Sequence, residues 1–115
     1  MNIEELREYC LKKRGTTEAL PFDEYTLVFK VMGKIFLITS LNEPNRFNAK
    51  CDPERAIELR EQHDEIKPGW HMNKKHWNTV HTDGNLSLKQ IRKIIDHSYE
   101  LVRDSLPKKI REGLK

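Results

Sequence analysis

The chain has 115 residues, a length typical of one domain, and we expect residues 1–115 to form a single domain around one two-layer core. Hydrophobic residues make up 37% of the sequence and charged residues 34%, and no apolar run approaches the length of a bilayer span, which argues against a membrane protein. The formal net charge of +3 permits an anionic partner without requiring one.

The N-terminal segment is predicted to be a helix. Asn2 and Glu5 have the spacing of a capping box, in which each side chain bonds to the backbone N–H of the other residue. We expect residues 16–22 to follow as a connector that packs onto the edge of the core.

Three strands are predicted next. The hydrophobic pattern indicates strands at residues 25–32, 34–41 and 46–51. A tight turn at Met32-Gly33 would join the first two, because glycine tolerates a positive φ. Short connections between the strands favour antiparallel pairing.

The second strand suggests a surface for a partner. A two-residue turn would place Phe36 and Ile38 against the helices, which leaves Ile35 and Leu37 on the open face of the sheet. An apolar patch among lysines can bind another protein or a second copy of the chain. Ile35 and Leu37 are therefore candidate partner-binding residues.

A second helix and a second hairpin are predicted in the middle of the chain. Asp52 and Pro53 are an N-cap acid followed by proline at the first helical position, and the helix should run to about Gln62. Strands at residues 69–72 and 76–82 would then pair around a short tip.

This hairpin has a predicted core side and a predicted solvent side. In the expected register Trp70, Met72 and Trp77 share the core side, and His71 and Asn78 face solvent. The tryptophans are accordingly expected to be packed, with stacking on unpaired bases as the alternative.

The last helix is the most strongly signalled element. Ser87 and Gln90 form a second capping-box pattern, and apolar residues then recur at helical spacing until Pro107. Residues 107–112 are compatible with a further short helical stretch. The predicted order is α-β-β-β-α-β-β-α, which indicates a two-layer α+β fold with a five-stranded antiparallel sheet backed by helices.

Charge is divided between the predicted layers. Residues 25–51 contain one acid, Glu43, and residues 66–82 contain none, so most acids lie on helices or flanking loops. A basic sheet face with a basic hairpin tip suits a phosphate backbone, because lysine and arginine release condensed counterions when they bind it. The candidate nucleic-acid-binding residues are Lys30, Lys34, Arg46, Lys50, Asn73, Lys74, Lys75, His76 and Asn78.

The segment at residues 68–80, PGWHMNKKHWNTV, resembles the signature of the MmcQ/YjbR family. Residues 20–36, 50–54 and 96–109 resemble other parts of the same family, so the likeness covers essentially the whole chain. Asp23 stands where the family pattern leads us to expect glycine, and Trp70 stands where we expect tyrosine. The resemblance implies an α+β fold similar to secretion chaperones and DNA binding through a paired-wing arrangement of hairpins. It implies no catalytic activity.

The residues give little support to other chemistries. No nucleophile, base and orienting group are grouped in a recognisable pattern, and the histidines lack the spacing of a metal site, so we expect no enzyme, metal or cofactor. A ligand or substrate pocket near His71, His76 and Trp77 is the remaining alternative. Cys10 and Cys51 are too few for a disulfide framework, which suggests a reducing, cytoplasmic location.

Overall fold

A computed structural model describes residues 1–114 as a six-stranded antiparallel sheet with helices packed on one side. The strands lie in the order β1-β2-β3-β4-β6-β5. The elements are α1 (Ile3–Leu11), β1 (Thr16–Ala19), β2 (Thr26–Val31), β3 (Lys34–Ser40), β4 (Arg46–Lys50), α2 (Pro53–Gln62), β5 (Ile66–Pro68), β6 (Trp77–His81), α3 (Leu88–Asp104) and α4 (Lys108–Glu112).

The helices begin where their caps predict. The Asn2 side chain accepts a hydrogen bond from the Glu5 backbone N–H at 2.8 Å, and Ser87 accepts one from Gln90 at 3.1 Å. Both reciprocal contacts are present, and Asp52 caps α2. These contacts satisfy N–H groups that a helix leaves without internal partners. Within residues 1–114, none of the helices combines the length and apolar character needed to cross a bilayer.

The α+β class is confirmed, but the sheet has one strand more than predicted. Residues 16–19, predicted as a connector, form β1 and pair with β2 from Thr16↔Val31 to Ala19↔Val28. This edge strand is short and largely polar, so the sequence carries little local signal for it. The strand forms because its backbone pairs with the exposed edge of β2.

The second hairpin is also displaced from its predicted position. Its first strand, β5, ends at Pro68, and the ladder closes where the Gly69 N–H donates to the Trp77 carbonyl at 2.9 Å. The Asn73 carbonyl then accepts from the N–H groups of both His76 and Trp77. Residues 69–76 therefore form a long, turn-rich loop instead of a strand with a short tip.

A β-bulge at Phe36 interrupts the ladder between β2 and β3. Phe29 pairs with Leu37, but the next residue, Lys30, pairs with Ile35, so Phe36 is the extra residue. An extra residue on one strand reverses the side to which all following side chains point.

The bulge corrects the predicted faces of β3. Phe36 and Leu37 are both fully buried in the helix-side core, whereas Ile38 lines a groove on the open face. The placement predicted for Leu37 on the open face is therefore wrong, as is that of Ile38 against the helices. Ile35 lies on the open face, as predicted.

Helix α3 covers the middle of the sheet and forms hydrogen bonds with the backbones of β3 and β4. The Ser98 hydroxyl donates to the Phe36 carbonyl at 2.5 Å and accepts from the Lys50 N–H at 2.8 Å. Tyr99 contacts the Phe36 ring edge-on, with centroids 5.4 Å apart. Because α3 fills the helix side, the other face of the sheet is the face left open for binding.

Candidate nucleic-acid interface

Two hairpins project from the same end of the sheet. The turn at residues 32–33 joins β2 to β3, and the loop at residues 69–76 joins β5 to β6. Because neighbouring strands run antiparallel, β2, β4 and β5 finish at the end where β3 and β6 begin. We call this end of the sheet the hairpin end, and the opposite end the far end.

The hairpin end collects the predicted lysines. Lys30 and Lys34 flank the first turn, and Lys50 pairs with Trp77 beside the second loop. The remaining two, at positions 74 and 75, are exposed on that loop. Across residues 1–114, none of these five lysines lies within 4 Å of a carboxylate oxygen.

The loop that carries Lys74 and Lys75 is held by its own polar groups. The Asn73 side-chain oxygen accepts from the Lys75 N–H at 2.9 Å, and Lys74 Nζ donates to the Gly69 carbonyl at 3.3 Å. His76 donates its N–H to Asn73. Asn73 and His76 are therefore at the predicted tip, with the Asn73 oxygen used in the turn.

Arg46 lies apart from this cluster. It begins β4 at the far end, where it pairs with His81 across the ladder and forms an ion pair with Glu43. Its guanidinium carbon is 5.9 Å from the centre of the Trp70 ring. Arg46 therefore lies on the open face of the sheet, but strand direction places it at the other end from the five lysines.

Asn78 is buried, which contradicts its predicted exposure. Its side-chain oxygen accepts from Arg60 Nε at 2.6 Å, and its Nδ2 donates to the Ala56 carbonyl at 3.3 Å. Arg60 also donates to the carbonyls of Lys74 and Trp77, so α2 braces the base of the loop. No pattern in the sequence distinguishes Arg60 from the other charged residues of α2.

The open face of the sheet contains a groove of about 750 Å³. Its floor includes Ile35, Ile38 and Asn48, and its walls are formed by Phe22, Asp23, Tyr25 and Thr26 on one side and by residues 70–72 on the other. Strand register lines up one residue from each strand across this face, in the order Ala19, Val28, Ile38, Asn48, Thr79 and Lys67.

Trp70 is fixed at the wall of the groove by three hydrogen bonds. Its N–H donates to Thr79 Oγ1 at 2.8 Å, Thr79 donates to Asn48 Oδ1 at 2.5 Å, and Asn48 Nδ2 donates to the Trp70 carbonyl at 3.1 Å. The side chain is 58% exposed. The predicted packing of Trp70 in the core is wrong, because the longer loop folds back over the open face.

His71 adopts a strained backbone beside Trp70. Its φ is +58°, a left-handed conformation that is uncommon for a residue other than glycine, and its ring lies 4.6 Å from the Trp70 ring. Of the residues in the predicted pocket near His71, His76 and Trp77, only His71 lines the groove.

Both acids at the groove are already engaged. Burial opposes the charged form of Asp23, but hydrogen bonds from Thr26 and Tyr25 outweigh it and lower the pKa of that carboxyl. Glu43 is paired with Arg46. Glu43 is therefore neutralised by a cation, whereas Asp23 is bonded to neutral groups and keeps its negative charge at the groove.

Neither cysteine is an activated nucleophile, and the described residues do not gather a set of metal ligands. Burial raises the pKa of Cys10 to about 12 and that of Cys51 to about 11, so both thiols stay protonated at neutral pH. Nowhere in residues 1–114 do three His, Cys, Asp or Glu side chains converge as metal ligands would.

Comparison with known proteins places the chain among relatives of the same size. The YjbR family model matches residues 11–101. The protein YjbR of Escherichia coli K12 is 35% identical over 115 residues, which cover 99% of this chain and 98% of that one. The protein YbdF of Escherichia coli O157:H7 is 40% identical over 90 residues, which cover 77% of this chain and 74% of that one.

Two solved structures have the same fold. The crystal structure of the Deinococcus radiodurans protein DR2400 matches with a TM-score of 0.91 and 38% identity, covering 98% of this chain and 87% of that one. A Pseudomonas syringae protein matches with a TM-score of 0.75 and 28% identity, covering 89% of this chain and 99% of that one.

Proposed function

Since the chain belongs to the YjbR family, we propose on the basis of its own charge arrangement that it is a non-enzymatic DNA-binding protein. The hairpin end would contact the phosphate backbone, with the two hairpins acting as a pair of wings. The observation that carries this proposal is the convergence of Lys30, Lys34, Lys50, Lys74 and Lys75 at one end of the sheet.

The absence of ion pairs at these lysines within residues 1–114 favours binding of an external anion. Since no carboxylate of residues 1–114 pairs with them, their charge is available to a ligand. Each phosphate contact releases condensed counterions, and this release is the main sequence-independent source of DNA affinity. The brace from Arg60 would hold the loop in place, which reduces the entropy lost on binding.

A salt-dependent DNA titration tests the proposal. We expect affinity to fall steeply with salt, and the double variant Lys74→Ala/Lys75→Ala to bind more weakly, with a log–log salt slope smaller by about 2. The matched control is Lys89→Ala/Lys93→Ala, which removes the same charge from exposed positions on α3 and should keep the wild-type slope. Wild-type protein that shows no binding at low salt would refute the proposal.

A second copy of the chain on the open face is the competing proposal. Ile35 and Ile38 give the groove an apolar floor, which a protein partner could cover. Sedimentation across a range of concentrations tests it, and an Ile38→Lys variant should then remain monomeric.

The proposed location is the cytoplasm. Cys10 and Cys51 are free and buried, as expected for a protein from a reducing compartment. Fractionation of the native cell with a specific antibody tests this location.

A further inference from the structure

The open-face groove has the chemistry of a site for unpaired bases. Three of its wall residues are large aromatic side chains that face solvent: Phe22 is 68% exposed, Trp70 58% and Tyr25 46%. Exposing such rings costs free energy unless a ligand covers them. Every nucleobase has a π-face that stacks on an aromatic ring, so such walls suit bases of any identity.

The site is built before any ligand arrives. The hydrogen bonds among Trp70, Thr79 and Asn48 fix both backbone polar groups of Trp70 and hold its ring at the groove. Arg46 lies near one side of that ring and His71 near its edge. A ring held in position loses little entropy when a base stacks on it.

The charge around the groove suits the backbone that carries those bases. Lys30 pairs with Ile35 on the open face, and Lys50 lies on the same face beside Trp77, so cations lie where the groove meets the hairpin end. Arg46, at the far end, is ion-paired with Glu43, so among the described residues Lys30 and Lys50 supply the unpaired positive charge near the groove. Positive groups beside exposed aromatic rings are the combination that single-strand-binding proteins use.

We infer that the groove binds unpaired nucleotides of single-stranded DNA, whose bases stack on Trp70 and Phe22 while phosphates contact the flanking lysines. This inference rests on the proposed DNA binding and makes it more specific, because bases in an intact duplex cannot reach the groove walls. A volume of about 750 Å³ lies within the range of sites that enclose small organic ligands.

The test compares three oligonucleotides of equal length: a single strand, its duplex, and an abasic single strand that keeps the phosphates. We expect the single strand to bind most tightly. Trp70→Ala and Phe22→Ala should each weaken its binding by about 5- to 150-fold, and Trp70→Phe should restore most of it. The control Leu88→Ala removes a similarly exposed apolar side chain from α3 and should leave affinity unchanged.

A fluorescence readout reports the contact itself. The chain has two tryptophans, so a Trp77→Phe variant leaves Trp70 as the only one. We expect its emission to be quenched by the single strand and unaffected by the abasic strand.

Different failures have different meanings. If the abasic strand or the duplex binds as well as the single strand, and neither aromatic variant has an effect, the groove inference is overturned while DNA binding through lysines stands. If none of the three oligonucleotides binds at low salt, both proposals are overturned.

Discussion

Several residues are held in position by contacts with residues distant in sequence, which the local sequence does not predict. His97 on α3 illustrates this, since its Nε2 accepts the Asp52 backbone N–H at 3.2 Å and its Nδ1 lies 3.4 Å from the Arg55 guanidinium. The ring thus helps to fix the start of α2 against α3. Burial, together with the charge of Arg55, lowers the pKa of His97 below the ordinary 6.5.

The lowered pKa of His97 predicts a pH dependence of stability. Between the folded pKa and 6.5 the unfolded chain binds more protons than the folded one, so the free energy of unfolding falls as pH falls through that window. We expect chemical-denaturation midpoints to decrease from pH 7.5 to pH 5, and to decrease less in a His97→Gln variant. Equal decreases in the two proteins would contradict this role.

At the scale of elements, the bulge in β3 decides which side chains build the core. Because Phe36 is the extra residue, it and Leu37 both lie on the helix side, and Ile38 moves to the groove. The one inserted residue therefore determines which side chains of β3 lie in the core and which line the groove.

The bulge predicts unequal losses of stability for two adjacent alanine substitutions. Leu37→Ala should lower the free energy of unfolding by about 2–5 kcal/mol, because it leaves a cavity in a fully buried site. Ile38→Ala should cost only about 1 kcal/mol, since the Ile38 side chain is partly exposed at the groove. Urea denaturation of the two variants measures the difference. A larger loss for Ile38→Ala than for Leu37→Ala would indicate a regular strand without the bulge.

At the scale of the molecule, the sheet separates stability from binding. One side packs with α1 and α3 into the core, and the other side and the hairpin end carry the groove and the lysines. Cys10 and Cys51 can serve as probes of the helix side of the sheet, because both are buried and burial raises the pKa of each thiol.

This division predicts how the thiols react. Cys10 is completely buried within the shared core, so labelling it should require global unfolding. We expect the labelling rate in increasing denaturant to follow the unfolding transition seen by circular dichroism. A Cys51→Ala variant isolates Cys10, and rapid labelling of that variant in native buffer would show that α1 detaches locally.

The features that the sequence predicted depend on nearby residues. The capping boxes at Asn2 and Ser87 join residues three apart, and the turn predicted at Met32-Gly33 is present, with the positive φ expected at Gly33 and a second one at Met32. The order of helices and most strands, and with it the α+β class, follows from such local signals.

The site depended on contacts between different elements. The edge strand β1, the bulge at Phe36, the burial of Asn78 by Arg60 and the exposure of Trp70 each require a partner outside the element that carries the residue. Local periodicity specifies whether a segment is a helix or a strand. Which side chains meet, and which remain open to a ligand, is decided only when strand register and loop length are fixed by the packing of the whole fold.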